Sequence, residues 1–202
     1  MPRFLNKQFL KAMQFTFLGP PGAGKGTQAR LLATCWQVPH ISTGDILRKA
    51  IAGKTSLGIQ ARSYVEAGEL VPDILVMALI RERFEHLDIS RGWILDGFPR
   101  TVFQARAFDE LLSILRLPHP VVIYFEAAIA SLVQRMLASG RQDDCEDTIR
   151  RRLEVHHEHT APLIDFYQKR DCLTRINGNL PLAEVTRTLQ ASIPQPVSGL
   201  LV

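Results

Sequence analysis

The sequence predicts an α/β fold in which helices cover both faces of a parallel β-sheet. Short runs rich in β-branched and aromatic residues alternate with longer helical patterns along the 202 residues, and this order is typical of parallel sheets. Residues 121–125 are almost wholly apolar, as expected of a strand that is buried on both faces. The first apolar run, at 15–18, leads directly into a glycine-rich turn and a helical pattern.

We expect five strands, near residues 14–18, 39–41, 92–96, 120–125 and 173–176. Helices fill the intervals between them. The chain has no internal repeat and no interdomain linker, and its length suits one substantial core. We therefore expect a single domain over residues 1–202, with its core at about 13–192 and an N-terminal extension at 1–12.

The turn after the first strand is typical of phosphate binding. Residues 19–27 read GPPGAGKGT; the backbone N–H groups of such a turn and the start of the following helix attract an anion. Lys25 can reach the outer phosphates. A side chain would obstruct a polyphosphate at each of Gly22, Gly24 and Gly26. Because Gly26 displaces the usual hydroxyl residue to Thr27, we expect Mg²⁺ to depend on the phosphates, on water and on a carboxylate elsewhere.

The second predicted strand is followed by a helix start that carries polar residues. Ser42 or Thr43 can cap this helix, and Asp45 is favourable in its first turn. Arg48, a little further along the same helix, could reach a second phosphate. The turn at 68–73 separates two helical segments, and its backbone groups could contact a base or a sugar.

The third predicted strand ends in residues that suit a nucleotide. Asp96 places a carboxylate at the edge where α/β sheets bind ligands, and we expect it to hold Mg²⁺ through water. Gly97 lets the chain pass close to a ligand, and Pro99 stiffens the turn. Arg100 offers a planar fork for phosphate. The Gln104 amide can donate and accept together, as reading a purine edge requires.

The amino-acid composition argues against several other classes of protein. With 46% hydrophobic residues and a net charge of +4, the chain has no apolar stretch of the roughly 20 residues that span a membrane. The longest basic run is only 150–152, so small anions are better partners than nucleic acid. The cysteines are odd in number and widely spaced, which argues for a reducing, cytoplasmic location; they are Cys35, Cys145 and Cys172.

Three neighbouring histidines form a metal-like cluster by number only. In an α-helix His156 and His159 would share a face while His157 turns away. No carboxylate or fourth ligand lies in register with them, so we expect no metal site here.

Four motifs, in this order and spacing, resemble those of adenylate kinases within the nucleoside monophosphate kinase family. They are the phosphate loop, STGD at 42–45, GELVP at 68–72 and DGFPRT at 96–101, and the resemblance extends over about 14–190. It implies a P-loop NTPase-type sheet with a small helical NMP-binding insertion at about 42–71. It also implies the reaction ATP + AMP ⇌ 2 ADP with Mg²⁺.

The resemblance implies the residues that bind each nucleotide. The expected ATP-binding residues are Gly22, Ala23, Gly24, Lys25, Gly26, Thr27, Arg135, Ser139 and Leu180. The expected AMP-binding residues are Thr43, Arg48, Glu69, Leu70, Val71, Gly97, Phe98, Pro99, Arg100, Gln104, Arg141 and Arg152. Phosphoryl transfer needs in-line positioning and neutralised phosphate charge, so the expected catalytic residues are the cations Lys25, Arg100, Arg141 and Arg152.

The lid resembles the short form of the family, at about 138–148, without zinc. Some members carry a long insert with four metal-binding residues there, for which this chain has no room. Ser139 stands where short-lid relatives often place an arginine over the adenine of ATP, which predicts weaker ATP binding or looser nucleotide-donor selectivity. Arg135, one helical turn earlier, takes part of that role, whereas Leu180 touches adenine through its backbone. At least one of the two arginines at 150 and 151 is expected to be a solvated charge.

Three alternatives differ in what they require of the sequence. A UMP/CMP kinase tends to carry alanine in place of Thr43. It also tends to read the base with an asparagine rather than with a glutamine such as Gln104. A GTPase needs an N-K-x-D motif, which the chain lacks. A nucleotide-binding regulator without catalysis would be expected to have lost some of the cations. We therefore expect a monomer whose partners are ATP, AMP and ADP.

Overall fold

The computed structural model describes residues 14–86, 89–90, 92–140 and 145–192. The predicted extension at 1–12 and the predicted catalytic Arg141 lie outside these ranges. Within them the strands are β1 (Gln14–Leu18), β2 (His40–Ser42), β3 (Trp93–Asp96), β4 (Val121–Glu126) and β5 (Leu173–Asn177). Each observed strand lies within about one residue of its predicted position.

The helices occupy the intervals between the strands. They are α1 (Lys25–Trp36), α2 (Thr43–Ala52), α3 (Ser56–Ala67), α4 (Asp73–Phe84), α5 (Val102–Ile114), α6 (Ile129–Leu137), α7 (Glu146–Val155), α8 (Pro162–Gln168) and α9 (Leu182–Ser192). A π-helical turn, His156–Thr160, joins α7 to α8. Among these helices, none is both long and apolar enough to cross a membrane.

The strands form one five-stranded sheet with the order β2-β3-β1-β4-β5. Every described pairing is parallel; Phe17 lies opposite Asp96 of β3, and Leu18 lies opposite Tyr124 of β4. The predicted α/β fold class is therefore confirmed. Because β1 is central, the turn that follows it opens at the middle of the carboxyl edge, where ligands bind in sheets of this kind.

Aromatic side chains fill the core around the sheet. Phe15 of β1 packs on Trp36 of α1, with ring centroids 5.1 Å apart. Trp93 of β3 meets the rings of Phe84 and Phe108 at 5.1 and 5.8 Å. These contacts hold α1, α4 and α5 against the strands, and so place the helix starts along one edge.

The segment between β2 and α4 forms a small helical unit. Helices α2 and α3 pack closely at Gly58, where a Cβ atom would lie 2.0 Å from the carbonyl oxygen of Ala50. The end of α3 also meets α7. A Cβ atom at Gly68 would lie 3.0 Å from the carbonyl oxygen of Thr148, and Gly68 has φ +76°. Only a glycine suits that combination of close approach and left-handed backbone.

Candidate active site

The phosphate loop has the backbone shape that its glycines predict. Gly22 and Gly24 have φ values of 81° and 91°, and Gly24 is the cap residue before α1 begins at Lys25. Lys25 Nζ donates hydrogen bonds of 2.7 Å to the carbonyl oxygens of Gly19 and Pro20. These bonds hold the ammonium group at the mouth of the loop, beside the positive end of the α1 dipole.

Gly26 brings the first turn of α1 close to Asp96. A Cβ atom on Gly26 would lie 3.0 Å from Asp96 Oδ2, which gives a physical reason for glycine in place of a hydroxyl residue. His40 Nε2 lies 3.3 Å from the same oxygen, a neighbour that sequence reasoning missed. The carboxylate is therefore held beside the phosphate loop.

The surroundings of Asp96 fit Mg²⁺. This ion is commonly bound by one or two carboxylates together with substrate phosphates and water, and Asp96 supplies one carboxylate next to a phosphate-binding turn. In the described ranges no three His, Cys, Asp or Glu side chains converge as a metal site.

One cavity of about 150 Å³ gathers residues from every predicted motif. It lies at the carboxyl edge of the sheet, between the phosphate loop, α2, α7 and the turn after β3. The predicted residues that line it are Lys25, Thr43, Arg48, Glu69, Leu70, Val71, Gly97, Pro99, Arg100, Gln104 and Arg152. The cavity therefore combines a strong positive charge with amide and backbone groups.

The pKa of Arg100 reflects the positive charges that converge on this cavity. Although part of its side chain is exposed, the protein around it lowers the pKa of Arg100 through burial, and Arg152 and Arg48 lower it further, while Asp96 acts in the opposite direction. Several like charges face one another here. An anion between them would remove the repulsion.

The start of α2 positions Arg48 and Thr43. Ser42 caps the helix by accepting from the Asp45 backbone N–H at 3.2 Å. Asp45 accepts from Arg48 at 2.5 Å; burial raises the pKa of Asp45, but Arg48, His40 and Ser42 together lower it overall. Thr43 Oγ1 donates to the Gly97 carbonyl at 3.0 Å. Thr43 thus ties α2 to the turn after β3.

The Gln104 side chain is buried, and its amide oxygen and its amide nitrogen are both hydrogen-bonded. Its Oε1 accepts from the Arg100 backbone N–H at 2.7 Å, and its Nε2 donates to Asp73 Oδ1 at 2.6 Å. Asp73 also accepts from the Thr101 hydroxyl at 3.4 Å. Asp73 is a positioning residue that sequence reasoning missed, because nothing in the local sequence links it to a residue 31 positions away.

Phe98 behaves differently from its neighbours in the predicted AMP set. Its side chain is fully buried and packs on Phe108, with ring centroids 5.4 Å apart. Any contact between Phe98 and a nucleotide would therefore come from its backbone. The side chain itself belongs to the core.

A second cavity, of about 380 Å³, lies on the other side of the phosphate loop. It brings together several residues of the predicted ATP set, Ala23, Gly24, Thr27, Arg135 and Leu180. Arg135 Nη1 donates to the Gly178 carbonyl at 2.7 Å, which holds the guanidinium at the turn that contains Leu180. Ser139 is exposed just beyond the end of α6.

The three consecutive arginines of α7 have different partners. Arg152 lines the first cavity and donates to the Val65 carbonyl at 3.4 Å. Arg151 pairs with Glu69 at 2.6 Å, and this bond lowers the pKa of Glu69. Arg150 is exposed and pairs with Glu146 of its own helix at 3.3 Å, in keeping with the expectation that one of these charges is solvated.

The predicted arrangement of the histidines is wrong in one respect. His156 begins the π-helical turn and lines the first cavity, whereas His157 and His159 are exposed. The turn is closed by an i to i+5 hydrogen bond, which the Ala161 N–H donates to the His156 carbonyl at 2.9 Å. The α-helical spacing that would place His156 and His159 on one face therefore does not apply.

Comparison with known proteins agrees with this geometry. A family model described as adenylate kinase matches residues 17–172. Adenylate kinase 1 of a Nostoc species is 54% identical over 177 residues, covering 88% of this chain and 96% of its own length. Adenylate kinase of Trichodesmium erythraeum is 47% identical, covering 90% and 97%, and adenylate kinase 1 of a Synechocystis species is 51% identical, covering 86% and 93%. The chain belongs to the adenylate kinase family.

Proposed function

We propose that the protein is an adenylate kinase, which transfers a phosphoryl group reversibly from ATP to AMP and yields two ADP. The observation that carries this proposal is the single cavity in which Lys25 of the phosphate loop meets Arg48, Arg100 and Arg152. Two nucleotides could approach it from opposite sides of the loop. The family membership of the chain supports the same reaction.

The cations account for catalysis. Phosphoryl transfer offers a protein little covalent work, and the rate comes from positioning and from neutralising the charge on the phosphate oxygens. Lys25 and the backbone of residues 22–27 bind the ATP phosphates, while Arg48, Arg100 and Arg152 hold the AMP phosphate against them. The resemblance adds Arg141. Loss of one such arginine costs on the order of 10³-fold in rate, judging by arginine fingers.

Asp96 holds Mg²⁺ through water in this proposal. When bound, the ion would neutralise the charge that develops on the phosphate oxygens. The chain's own part is to keep the Asp96 carboxylate beside the loop, with the help of His40.

The adenine bases of AMP and ATP bind at opposite ends of the active site. Gln104, fixed by Asp73, reads the adenine of AMP, and Thr43 with the backbone of 69–71 completes that pocket. Arg135, Ser139 and the backbone of Leu180 border the adenine of ATP in the second cavity or beside it.

The remaining properties follow from composition and from the resemblance. We place the short lid at about 138–148 and the NMP-binding insertion at about 42–71, in one domain with its core at about 13–192. The lid binds no zinc, since the segment contains one cysteine and no histidine. The protein is a cytoplasmic monomer that binds ATP, AMP and ADP and neither nucleic acid nor membranes.

The test is a substrate survey. Purified protein is mixed with Mg-ATP and, separately, with AMP, UMP, CMP or GMP, and nucleoside diphosphates are measured by chromatography. Rapid, Mg²⁺-dependent ADP formation with AMP supports the proposal, with Lys25→Met as the inactive control. Preference for UMP or CMP would keep the fold and overturn the assignment of the base pocket. Binding without turnover would indicate a regulator.

A further inference from the structure

His156 lines the cationic cavity and carries a polar atom that makes no hydrogen bond to any residue the structure describes. Its side chain lines the cavity together with Lys25 and Arg100. Its Nε2 atom is inaccessible to solvent and has no hydrogen-bond partner among the residues that the structure describes. Buried polar atoms are nearly always hydrogen-bonded, and an exception calls for a physical explanation.

The π-helical turn holds this side chain in place. Thr160, at the other end of the turn, donates from its hydroxyl to the Arg100 carbonyl at 3.0 Å, and it lines the same cavity. The turn is thereby attached to the loop that carries Arg100. Such π turns are frequently found at functional sites.

Burial, together with the surrounding charges, keeps His156 neutral. Burial lowers its pKa to about 3, and Lys25, Arg100 and His157 act in the same direction. Arg48 and Arg152 line the cavity as well. From β4, the Tyr124 ring faces the imidazole at 6.4 Å between centroids, and burial raises the pKa of that phenol. The imidazole is thus surrounded by cations and one neutral ring. Because it is neutral, it carries a single N–H.

We propose that His156 is a substrate-contacting residue: when nucleotides are held between Lys25 and Arg100, a turn of the imidazole ring brings its buried Nε2–H to donate a hydrogen bond to a phosphate oxygen. The inference rests on the proposed function only in that the ligand is a nucleotide phosphate. A phosphate oxygen accepts, and an uncharged imidazole N–H donates to it without adding a further positive charge to a crowded group of cations. Nucleotide binding also places negative charge beside the ring, so the pKa of His156 rises in the complex.

Imidazole ¹⁵N spectra of the wild-type protein test the contact directly. The His156 signals are assigned by their loss in His156→Gln, and ADP is then added without Mg²⁺. We expect the Nε2 resonance to shift on ADP binding and the His156 pKa to rise, while the resonances of the exposed His157 and His159 stay unchanged when ADP is added. A His156 Nε2 resonance and pKa that stay unchanged at saturating ADP would overturn the inference.

Kinetics supply a second test with a matched control. His156→Phe removes the donor, and we expect kcat/KM to fall about 10-fold or more, as for the loss of a hydrogen bond to a charged group. His156→Gln keeps an N–H and recovers most of that loss. His159→Phe, on the exposed side of the same turn, stays close to wild type. Equal kcat/KM for wild type and a folded His156→Phe would contradict the proposal. If the wild type itself proved inactive, the proposed function would fail, and the ADP-dependent Nε2 shift would still decide the contact.

Discussion

At the residue scale, the Gln104 amide is oriented by two neighbours that leave no choice of direction. The Asp73 carboxylate can only accept, so the Gln104 nitrogen faces it; the Arg100 backbone N–H can only donate, so the oxygen faces that side. One amide N–H and one lone pair remain. Those two groups are the pair that a purine edge requires.

Asp73→Asn therefore impairs AMP recognition in particular. A neutral amide at 73 can donate as well as accept, so only the Arg100 N–H still fixes the direction of the Gln104 amide, and the hydrogen bond between Gln104 and residue 73 loses its charged partner. We expect the Michaelis constant for AMP to rise about 10-fold, in keeping with hydrogen bonds to charged groups, with that for ATP unchanged. Steady-state kinetics check this, with the exposed Asp165→Asn of α8 as control. Equal increases for both substrates would point to general damage instead.

Ser139 provides the matching test on the ATP side. Ser139→Arg restores a guanidinium that can stack on adenine, and we expect the Michaelis constant for ATP to fall about 2- to 5-fold, as a cation–π contact at an exposed site allows. Ser139→Gln supplies length without charge and serves as control. The hypothesis fails if Ser139→Arg leaves this constant unchanged.

At the scale of elements, α7 connects the cavity to the insertion. Arg152 and Thr148 contact the end of α3 through the carbonyls of Val65 and Glu66, and Arg151 pairs with Glu69. The backbone after α3 is the segment expected to contact AMP. Its position therefore depends on a helix 80 residues away as well as on its own sequence.

Arg151→Ala tests that dependence. The Arg151–Glu69 pair is partly exposed, so its loss has a small effect, and we expect at most a few-fold rise in the Michaelis constant for AMP alone. The effect should shrink at high salt. The effect should also vanish as pH falls through the lowered pKa of Glu69, because a protonated Glu69 no longer forms an ion pair with Arg151. Arg150→Ala, which breaks only a pair within α7, is the control; equal effects would contradict the interpretation.

At the scale of the whole molecule, the parallel sheet brings the motifs to one edge. The motifs at 19–27, 42–48, 68–73 and 96–104 each follow a strand or lie in the insertion, and the strand order places their strands side by side. Since β1 is the central strand, the integrity of the site depends on it.

Removal of residues 1–12 tests where the essential chain begins. β1 starts at Gln14, so we expect the shortened protein to keep its activity and melting temperature. Removal of residues 1–18 deletes the central strand and should leave no cooperative unfolding transition. A large loss of activity in the first variant would show that the extension contributes to function.

The strands and the phosphate loop were predictable because their signals are local. The apolar run at 121–125 and the glycines around Lys25 carry their meaning within a few residues, and the fold class and the family were confirmed. The face of a helix was less predictable. His156 lies in a π turn, and the α-helical period that sequence reasoning assumed does not apply there.

The sequence by itself determined the order of the elements, the phosphate loop and the residue types required for binding two nucleotides. Only the tertiary structure decided that Asp73 holds Gln104, that His40 lies against Asp96 and that Arg151 reaches Glu69. These pairs join residues 31, 56 and 82 positions apart. Each depends on how strands and helices pack against one another, and such distances are set by packing rather than by local preference.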